Sequence, residues 1–213
     1  MLLAGSAASA QLQQPNHVLF ILIDDLGYAD VGYHGCWGQL DHRFARVIRL
    51  YYVASLCSPT RTSLLMGWRA YNIGMNAEVI VNGQPSQMPL SARTIADRLQ
   101  VSGWATAIYF KWDAGMTSWG CAPTCRGFDH FFGFYDADED HFSHLAGKYL
   151  DLRNDIRRLR AQQSGPDADK PSFTYFAHQA IHGPIMCPVH YYLARNSCPD
   201  IPDSSPRARW CAG

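Results

Sequence analysis

The stretch HVLFILIDD, residues 17–25, decides the fold class of this chain of 213 residues. Its continuous apolar and β-branched part is typical of a buried strand in a parallel sheet. The stretch ends at two carboxylates, Asp24 and Asp25, which are followed by Gly27. Open α/β sheets place ligand-binding groups just beyond the carboxyl ends of their strands. The stretch therefore predicts both a parallel sheet and a binding site at one edge of it.

Two more apolar stretches predict further strands. Residues 105–110 end at Lys111, and residues 172–177 end shortly before His182. An amphipathic helix is predicted over residues 91–101. Strands that alternate with loops and helices predict an α/β domain with a mainly parallel sheet flanked by helices.

Further helices are predicted from spacing. Pro59 disfavours an early start, so a helix is predicted over residues 62–66, with Thr60 or Thr62 as its cap. Helical spacing also extends over residues 41–52 and 144–162, and turn formers at 163–171 predict a linker. The predicted organisation is a signal peptide or flexible start at residues 1–15, one domain at 16–195 and an irregular tail at 196–213.

Composition excludes several classes of protein. Hydrophobic residues make up 47% of the chain and charged residues 17%, which is typical of a globular domain. Lysine and arginine together number 18, as do aspartate and glutamate, so no basic field predicts a nucleic-acid partner. No apolar run is long enough to predict a membrane span.

The cysteines and the first ten residues indicate the compartment. Residues 1–10 are small and apolar and end in Ala-Ser-Ala, which resembles a signal-peptide cleavage site, although a start without a structural role is the alternative. If Cys57 is reserved for chemistry, six of the seven cysteines remain, an even number that suits disulfides of open connectivity. Together these features predict the secretory pathway, either lysosomal or secreted.

The predicted strand ends gather chemically active side chains. Adjacent carboxylates repel each other unless a cation neutralises them, so Asp24 and Asp25 predict a divalent ion, calcium or magnesium. Arg61, Lys111 and His182 suit a tetrahedral oxyanion. The combination predicts metal-assisted phosphoryl or sulfuryl transfer.

Each of these residues also has an ordinary reading when it is taken alone. The pair Asp24 and Asp25 suits a turn, Lys111 a solvated strand end, and His182 a loop. Cys57 alone suits a disulfide or a buried thiol.

The pentapeptide Cys57-Ser58-Pro59-Thr60-Arg61 resembles the Cys-x-Pro-x-Arg signature of type I sulfatases, which is the recognition signal for oxidation of its cysteine to formylglycine. The resemblance covers roughly residues 16–192 and is closest to the arylsulfatase B group, which removes 4-sulfates from N-acetylgalactosamine. Other stretches similar to the family are residues 17–27, 57–67, 88–103, 126–134 and 173–184.

This resemblance implies an alkaline-phosphatase-like fold, incomplete at the carboxyl terminus, that hydrolyses the sulfate esters of sugars or aryl alcohols. A formylglycine-generating enzyme would act on Cys57, and the hydrated aldehyde would attack sulfur with the help of calcium or magnesium. The implied roles are metal binding by Asp24, Asp25 and modified Cys57, support of that side chain by Arg61, and sulfate binding by Lys111 and His182.

Three departures from the family pattern qualify the expected activity. Asp113 stands where the family has a histidine, and we expect a loss of rate on the order of 10²–10⁴-fold. The stretch between Gly35 and Cys57 is short, and the family's Asp-Asn metal loop has no counterpart before Gly213. The alternative function is therefore a non-catalytic sulfatase-like chain that binds sulfated glycans or a partner. A related phosphohydrolase of the alkaline phosphatase superfamily is a third possibility, but such enzymes usually carry serine or threonine as the nucleophile, so Cys57 argues against it.

Overall fold

A computed structural model describes residues 17–27, 51–76, 78–152 and 170–183. Its main sheet has four parallel strands, which lie in the order Val18–Ile23, Ser172–His178, Ala105–Lys111 and His130–Phe134. The predicted α/β class with a mainly parallel sheet is thereby confirmed. The strands of this sheet are β1 (Val18–Ile23), β2 (Ala105–Lys111), β3 (His130–Phe134) and β6 (Ser172–His178).

Helices and short elements complete the described part. The α-helices are α1 (Cys57–Met66) and α2 (Ile95–Val101), and the 3₁₀-helices are Ala70–Ile73, Trp119–Cys121 and Pro123–Cys125. A small hairpin consists of β4 (Leu145–Ala146) and β5 (Tyr149–Leu150). None of the helices in the described ranges is long and apolar enough to cross a membrane.

The core lies where the helices meet the inner strands. Ile108 of β2 and Tyr175 of β6 are almost fully buried, as is Phe128, and they belong to one cluster with Leu65 of α1. Trp112 packs edge-on against Phe128, with ring centroids 6.3 Å apart. This aromatic core fixes the segment just beyond β2, where several polar residues are also buried.

The prediction that residues 17–23 form a buried strand was half wrong. β1 is a strand, but it is the outer strand of the described sheet and pairs with β6 on one side. Leu19 is 62% exposed and Ile21 is 55% exposed. The apolar sequence predicted the conformation, whereas burial depends on what packs against the strand.

The predicted start of the first helix was also wrong. α1 begins at Cys57, and Pro59 lies within its first turn. Proline is tolerated there because the first N–H groups of a helix lack intrahelical partners anyway. Neither predicted cap acts as one: Thr60 donates to the carbonyl of Ala54 at 2.8 Å, and Thr62 donates to that of Ser58 at 2.7 Å.

Helix α2 is shorter than the predicted span of residues 91–101. It begins at Ile95 because Thr94 forms a capping box with Asp97. The Thr94 hydroxyl accepts from the Asp97 N–H at 3.0 Å, and the Asp97 carboxylate accepts from the Thr94 N–H at 2.8 Å. Thr94 also lies 2.7 Å from the carbonyl of Arg126, to which its hydroxyl donates.

The predicted helix over residues 144–162 is wrong in its described part. Residues 145–150 form the β4–β5 hairpin, with Gly147 at φ 62° in its turn. Glycine reaches that conformation at low cost. Residues 153–162 lie outside the described ranges, as do residues 41–50, 163–169, 1–15 and 196–213, so those predictions concern undescribed parts of the chain.

Candidate active site

The site is built around Asp24, which follows β1 and is buried. Its backbone N–H donates to the carbonyl of His178 at 3.2 Å, and its own carbonyl accepts from the N–H of Ile181 at 2.9 Å. The carboxyl ends of β1 and β6 are thus joined by backbone hydrogen bonds. These bonds direct the Asp24 side chain inward, across the end of the sheet.

Two buried cations meet the Asp24 carboxylate. Lys111 Nζ lies 2.7 Å from Asp24 Oδ2, and Arg61 Nη2 lies 3.2 Å from Asp24 Oδ1. Arg61 also donates from Nη1 to the carbonyl of Lys111 at 3.1 Å. Burial opposes the charge on Asp24, but Arg61 and Lys111 outweigh it and hold the pKa of Asp24 below its usual value. Asp24 therefore remains ionised across the neutral range.

Asp113 places a second carboxylate beside the same cations. Its Oδ2 lies 3.6 Å from Lys111 Nζ and 4.0 Å from Arg61 Nε, and the residue is 1% exposed. Burial raises the pKa of Asp113 to about 6, although Lys111, Ser58 and Arg61 act in the opposite direction. The centre of the site thus holds two carboxylates against two cations.

Ser58 connects this centre to the start of α1. Its hydroxyl donates to Asp113 Oδ1 at 2.6 Å and accepts from the N–H of Ile80 at 2.8 Å. The sequence interpretation did not single out Ser58 or Tyr175, whose buried hydroxyl lies beside Arg61. Two signals in the sequence were available for these residues. Ser58 is adjacent to Cys57, and Tyr175 lies at one of the alternating positions of β6 that point inward.

Cys57 is the first residue of α1 and is partly buried. Its Sγ lies 3.4 Å from Asp24 Oδ1, to which the thiol donates. Burial raises the pKa of Cys57 to about 11, and the nearby carboxylates add to this effect against the influence of Lys111. The unmodified side chain is therefore a neutral thiol at physiological pH and a weak nucleophile.

His182 and Asp25 lie at the outer side of the site. The Asp25 side chain is 60% exposed, and its Oδ2 lies 3.8 Å from His182 Nε2. Asp25 occupies the left-handed region at φ 57°, and this turn carries its side chain away from the buried cluster. Of the predicted residues, the structure thus brings together Asp24, Cys57, Arg61 and Lys111, with His182 adjacent and Asp25 at the rim.

One trio could contribute to metal binding. Ligand atoms of Asp24, Cys57 and His182 lie within 4.8 Å of one another. Calcium binds six to eight oxygens and magnesium requires a near-octahedral shell, whereas this trio supplies one carboxylate, one sulfur and one imidazole. Both Asp24 oxygens are already paired with Arg61 and Lys111. The described residues alone therefore do not fit a complete calcium or magnesium site.

The match to known proteins decides the family. The sequence profile of the family described as Sulfatase matches residues 16–207. The chain belongs to the sulfatase family. Arylsulfatase J of Mus musculus is 33% identical over 213 aligned residues, which cover 87% of this sulfatase chain and 36% of the relative. This match supports similarity to arylsulfatases in general, while assignment to the arylsulfatase B group remains a prediction.

Solved structures show the same fold. Ps i-CgsB in complex with k-i-k-neocarrahexaose gives a TM-score of 0.67 at 21% identity, covering 93% of this sulfatase chain and 52% of that protein. A protein in complex with its substrate D-glucosamine-2-N,6-O-disulfate gives 0.55 at 18% identity, covering 84% and 37%. The predicted alkaline-phosphatase-like sulfatase fold is confirmed. The chain spans about half or less of the length of these relatives.

The predicted disulfides can be compared at two positions. Cys121 and Cys125 are free thiols, and Cys121 is fully buried. The other four cysteines predicted to pair lie outside the described ranges of this sulfatase chain. The two described members therefore do not form the disulfides predicted from the even count.

Proposed function

We propose that this chain carries the nucleophile and part of the sulfate-binding group of a sulfuric ester hydrolase that depends on formylglycine. The observation that carries the proposal is the position of Cys57. It begins α1 within the Cys-x-Pro-x-Arg signature and contacts Asp24, which is bound to both Arg61 and Lys111. A nucleophile beside two fixed cations suits attack on an anionic ester.

Conversion of Cys57 to formylglycine supplies the reactivity that the thiol lacks. One hydroxyl of the hydrated aldehyde forms a bond to sulfur, and the bond between sulfur and the alcohol oxygen breaks, so the alcohol leaves with a proton. Loss of the proton from the second hydroxyl then expels sulfate and restores the aldehyde. An unmodified Cys57 has no second hydroxyl and, with its raised pKa, little thiolate.

The proposed role of Lys111 and His182 is to bind sulfate oxygens, and that of Arg61 is to support the modified Cys57 side chain. Arg61 spans the site because it contacts Asp24 and the Lys111 carbonyl together. Asp24 and Asp25 remain the proposed ligands of a calcium or magnesium ion. Asp24 and Asp25 do not complete such a site within the described residues. The formation and cleavage of bonds to sulfur are therefore described through the side chains of this chain alone.

The proposed substrates are sulfated sugars or aryl sulfates. Support comes from the arylsulfatase relative and from the sulfated glucosamine bound by a protein of the same fold. A 4-sulfate of N-acetylgalactosamine is the finer proposal. The proposed location is the secretory pathway, either lysosomal or secreted; the apolar start and the proposed maturation by a formylglycine-generating enzyme support it.

Mass spectrometry of the protein from its natural source tests the proposal. Trypsin releases residues 50–61, which contain Cys57, and we expect this peptide to have exchanged its sulfur for a carbonyl oxygen. Cys125 in the same digest is the internal control and should remain a thiol. An unchanged Cys57 would rule out the formylglycine mechanism. Intact mass also measures the length of the natural product.

Hydrolysis is measured separately with a chromogenic aryl sulfate. The converted protein should release the aryl alcohol, and a Cys57→Ala variant should release none above background. Converted protein that binds the substrate without turnover would favour the second candidate, a non-catalytic sulfatase-like chain. The observation in favour of that candidate is Asp113, which stands where the family has a histidine and therefore opposes turnover; its buried carboxylate lies beside Lys111 and Arg61.

A further inference from the structure

We infer that Asp113 is an internal counter-anion that competes with a bound sulfate group for Arg61 and Lys111 and thereby lowers the affinity of the site for anions. The inference rests on the proposed sulfate-binding role of Lys111 and on the position of the Arg61 guanidinium beside it. It assigns to Asp113 control over how strongly the site holds any oxyanion.

The geometry gives Asp113 the position of a ligand. Its Oδ2 lies 3.6 Å from Lys111 Nζ and 4.0 Å from Arg61 Nε, and the carboxylate is enclosed by protein. A sulfate oxygen held by the same two cations would occupy similar space and carry the same sign of charge. The two anions therefore exclude each other, both sterically and electrostatically.

The charge balance gives the same result. Arg61 and Lys111 supply two positive charges, which Asp24 and Asp113 balance in full when both are ionised. Lys111 is 0% exposed and lies between the two carboxylates. A sulfate group that enters this cluster finds no excess positive charge. Neutralising Asp113 leaves one uncompensated cation for the incoming anion.

Asp113 is held firmly in this position. The Ser58 hydroxyl donates to its Oδ1 at 2.6 Å, and the Ile80 N–H fixes that hydroxyl in turn at 2.8 Å. The Asp113 backbone has φ 44°, a region that asparagine and glycine enter readily. Substitution by either residue therefore removes the charge while keeping the local backbone.

Binding of inorganic sulfate to the full chain tests the inference. Isothermal titration calorimetry at neutral pH and low ionic strength compares the unaltered protein with Asp113→Asn and Asp113→Gly. We expect both variants to bind sulfate at least about tenfold more tightly, a difference of about 1.4 kcal/mol. Glu78→Gln is the matched control, because it removes one exposed carboxylate elsewhere on the chain. Its affinity should equal that of the unaltered protein.

Each result has a defined meaning. Equal or weaker sulfate affinity in folded Asp113→Asn and Asp113→Gly overturns the inference, and so does an equal gain in Glu78→Gln. If near-UV circular dichroism shows that neither Asp113 variant folds, Asp113 is a structural requirement and the inference also fails. Binding is measured with unmodified Cys57 and without turnover. A failure of the formylglycine proposal is therefore detected separately, by mass spectrometry.

Discussion

Lys111 and Asp24 form a buried ion pair, 2.7 Å from Nζ to Oδ2, between the ends of two strands that are not neighbours. β6 lies between β2 and β1, so the pair crosses over the end of the intervening strand. The ends of three strands are thereby joined at one point. This contact ties the geometry of the site to the order of the sheet.

Loss of the Lys111 ammonium should destabilise the fold strongly. Lys111→Met keeps most of the side-chain volume but leaves the two buried carboxylates with Arg61 alone, and we expect a loss of about 3–5 kcal/mol in the free energy of unfolding. Lys148→Met replaces an exposed lysine and should change this free energy by less than about 0.5 kcal/mol. Urea unfolding of both variants measures the difference. Similar small losses would show that the ion pair contributes little.

Asp113 should make stability depend on pH. Its folded pKa of about 6 lies above the unfolded value near 4, so ionising it opposes folding. This cost is absent below about pH 4, grows as the pH rises through about 6, and is complete near pH 8. Asp113→Asn removes this cost, so the difference in stability between the variant and the unaltered protein should shift in favour of the variant by up to about 3 kcal/mol between pH 4 and pH 8. Urea unfolding at both values checks this, and an advantage that does not vary with pH would contradict it.

Gly127 lies where α2 meets the segment before β3. At φ 88°, an added Cβ would lie 2.1 Å from the backbone nitrogen of Asp97. Gly103 has nearly the same φ, 85°, but open space around its Cβ position, so it controls for backbone strain. We expect Gly127→Ala to destabilise the fold by about 1–3 kcal/mol more than Gly103→Ala does. Its melting temperature should be correspondingly lower. Equal effects would mean that the close contact relaxes freely.

The capping box of α2 gives a prediction with a conservative control. Thr94→Ala removes the hydroxyl that accepts from the Asp97 N–H and donates to the Arg126 carbonyl. We expect a loss of about 1–2 kcal/mol. Thr94→Ser keeps the hydroxyl and should retain most of the stability. Thermal unfolding followed by circular dichroism distinguishes them, and a Thr94→Ser variant as unstable as Thr94→Ala would exclude the cap as the cause.

The sequence predicted those elements whose signals are local. The apolar runs of β1, β2 and β6 were sufficient for strands, and all three occur. β3 (His130–Phe134) was not predicted. It is a strand of five residues, mostly aromatic, so its hydrophobic pattern is too short to be distinctive, and its register is set by pairing with β2. The helix predicted over residues 144–162 was wrong where it is described, since the Gly147 turn overrides the basic periodicity.

The site was predictable only in part for a similar reason. Ligand-binding groups lie beyond the carboxyl ends of parallel strands, and this rule alone predicts that Asp24 and Lys111 lie close together. It does not predict which other side chains they contact. The outward direction of Asp25 depends on one turn, and the Ser58 contact with Asp113 joins residues 55 positions apart. Such contacts arise from tertiary packing, which no local pattern encodes.

The exposed outer strand has a consequence for how the site responds to stress. Among the described residues, β1 pairs with β6 alone, and most side chains of β1 are exposed, so its amides should exchange with solvent before those of β2 and β6. When β1 detaches, Asp24 leaves with it, while Arg61, Lys111 and Asp113 remain on the rest of the domain. Anion affinity should then change at denaturant concentrations at which the aromatic core is still intact. The stability of the site is therefore limited by the stability of β1.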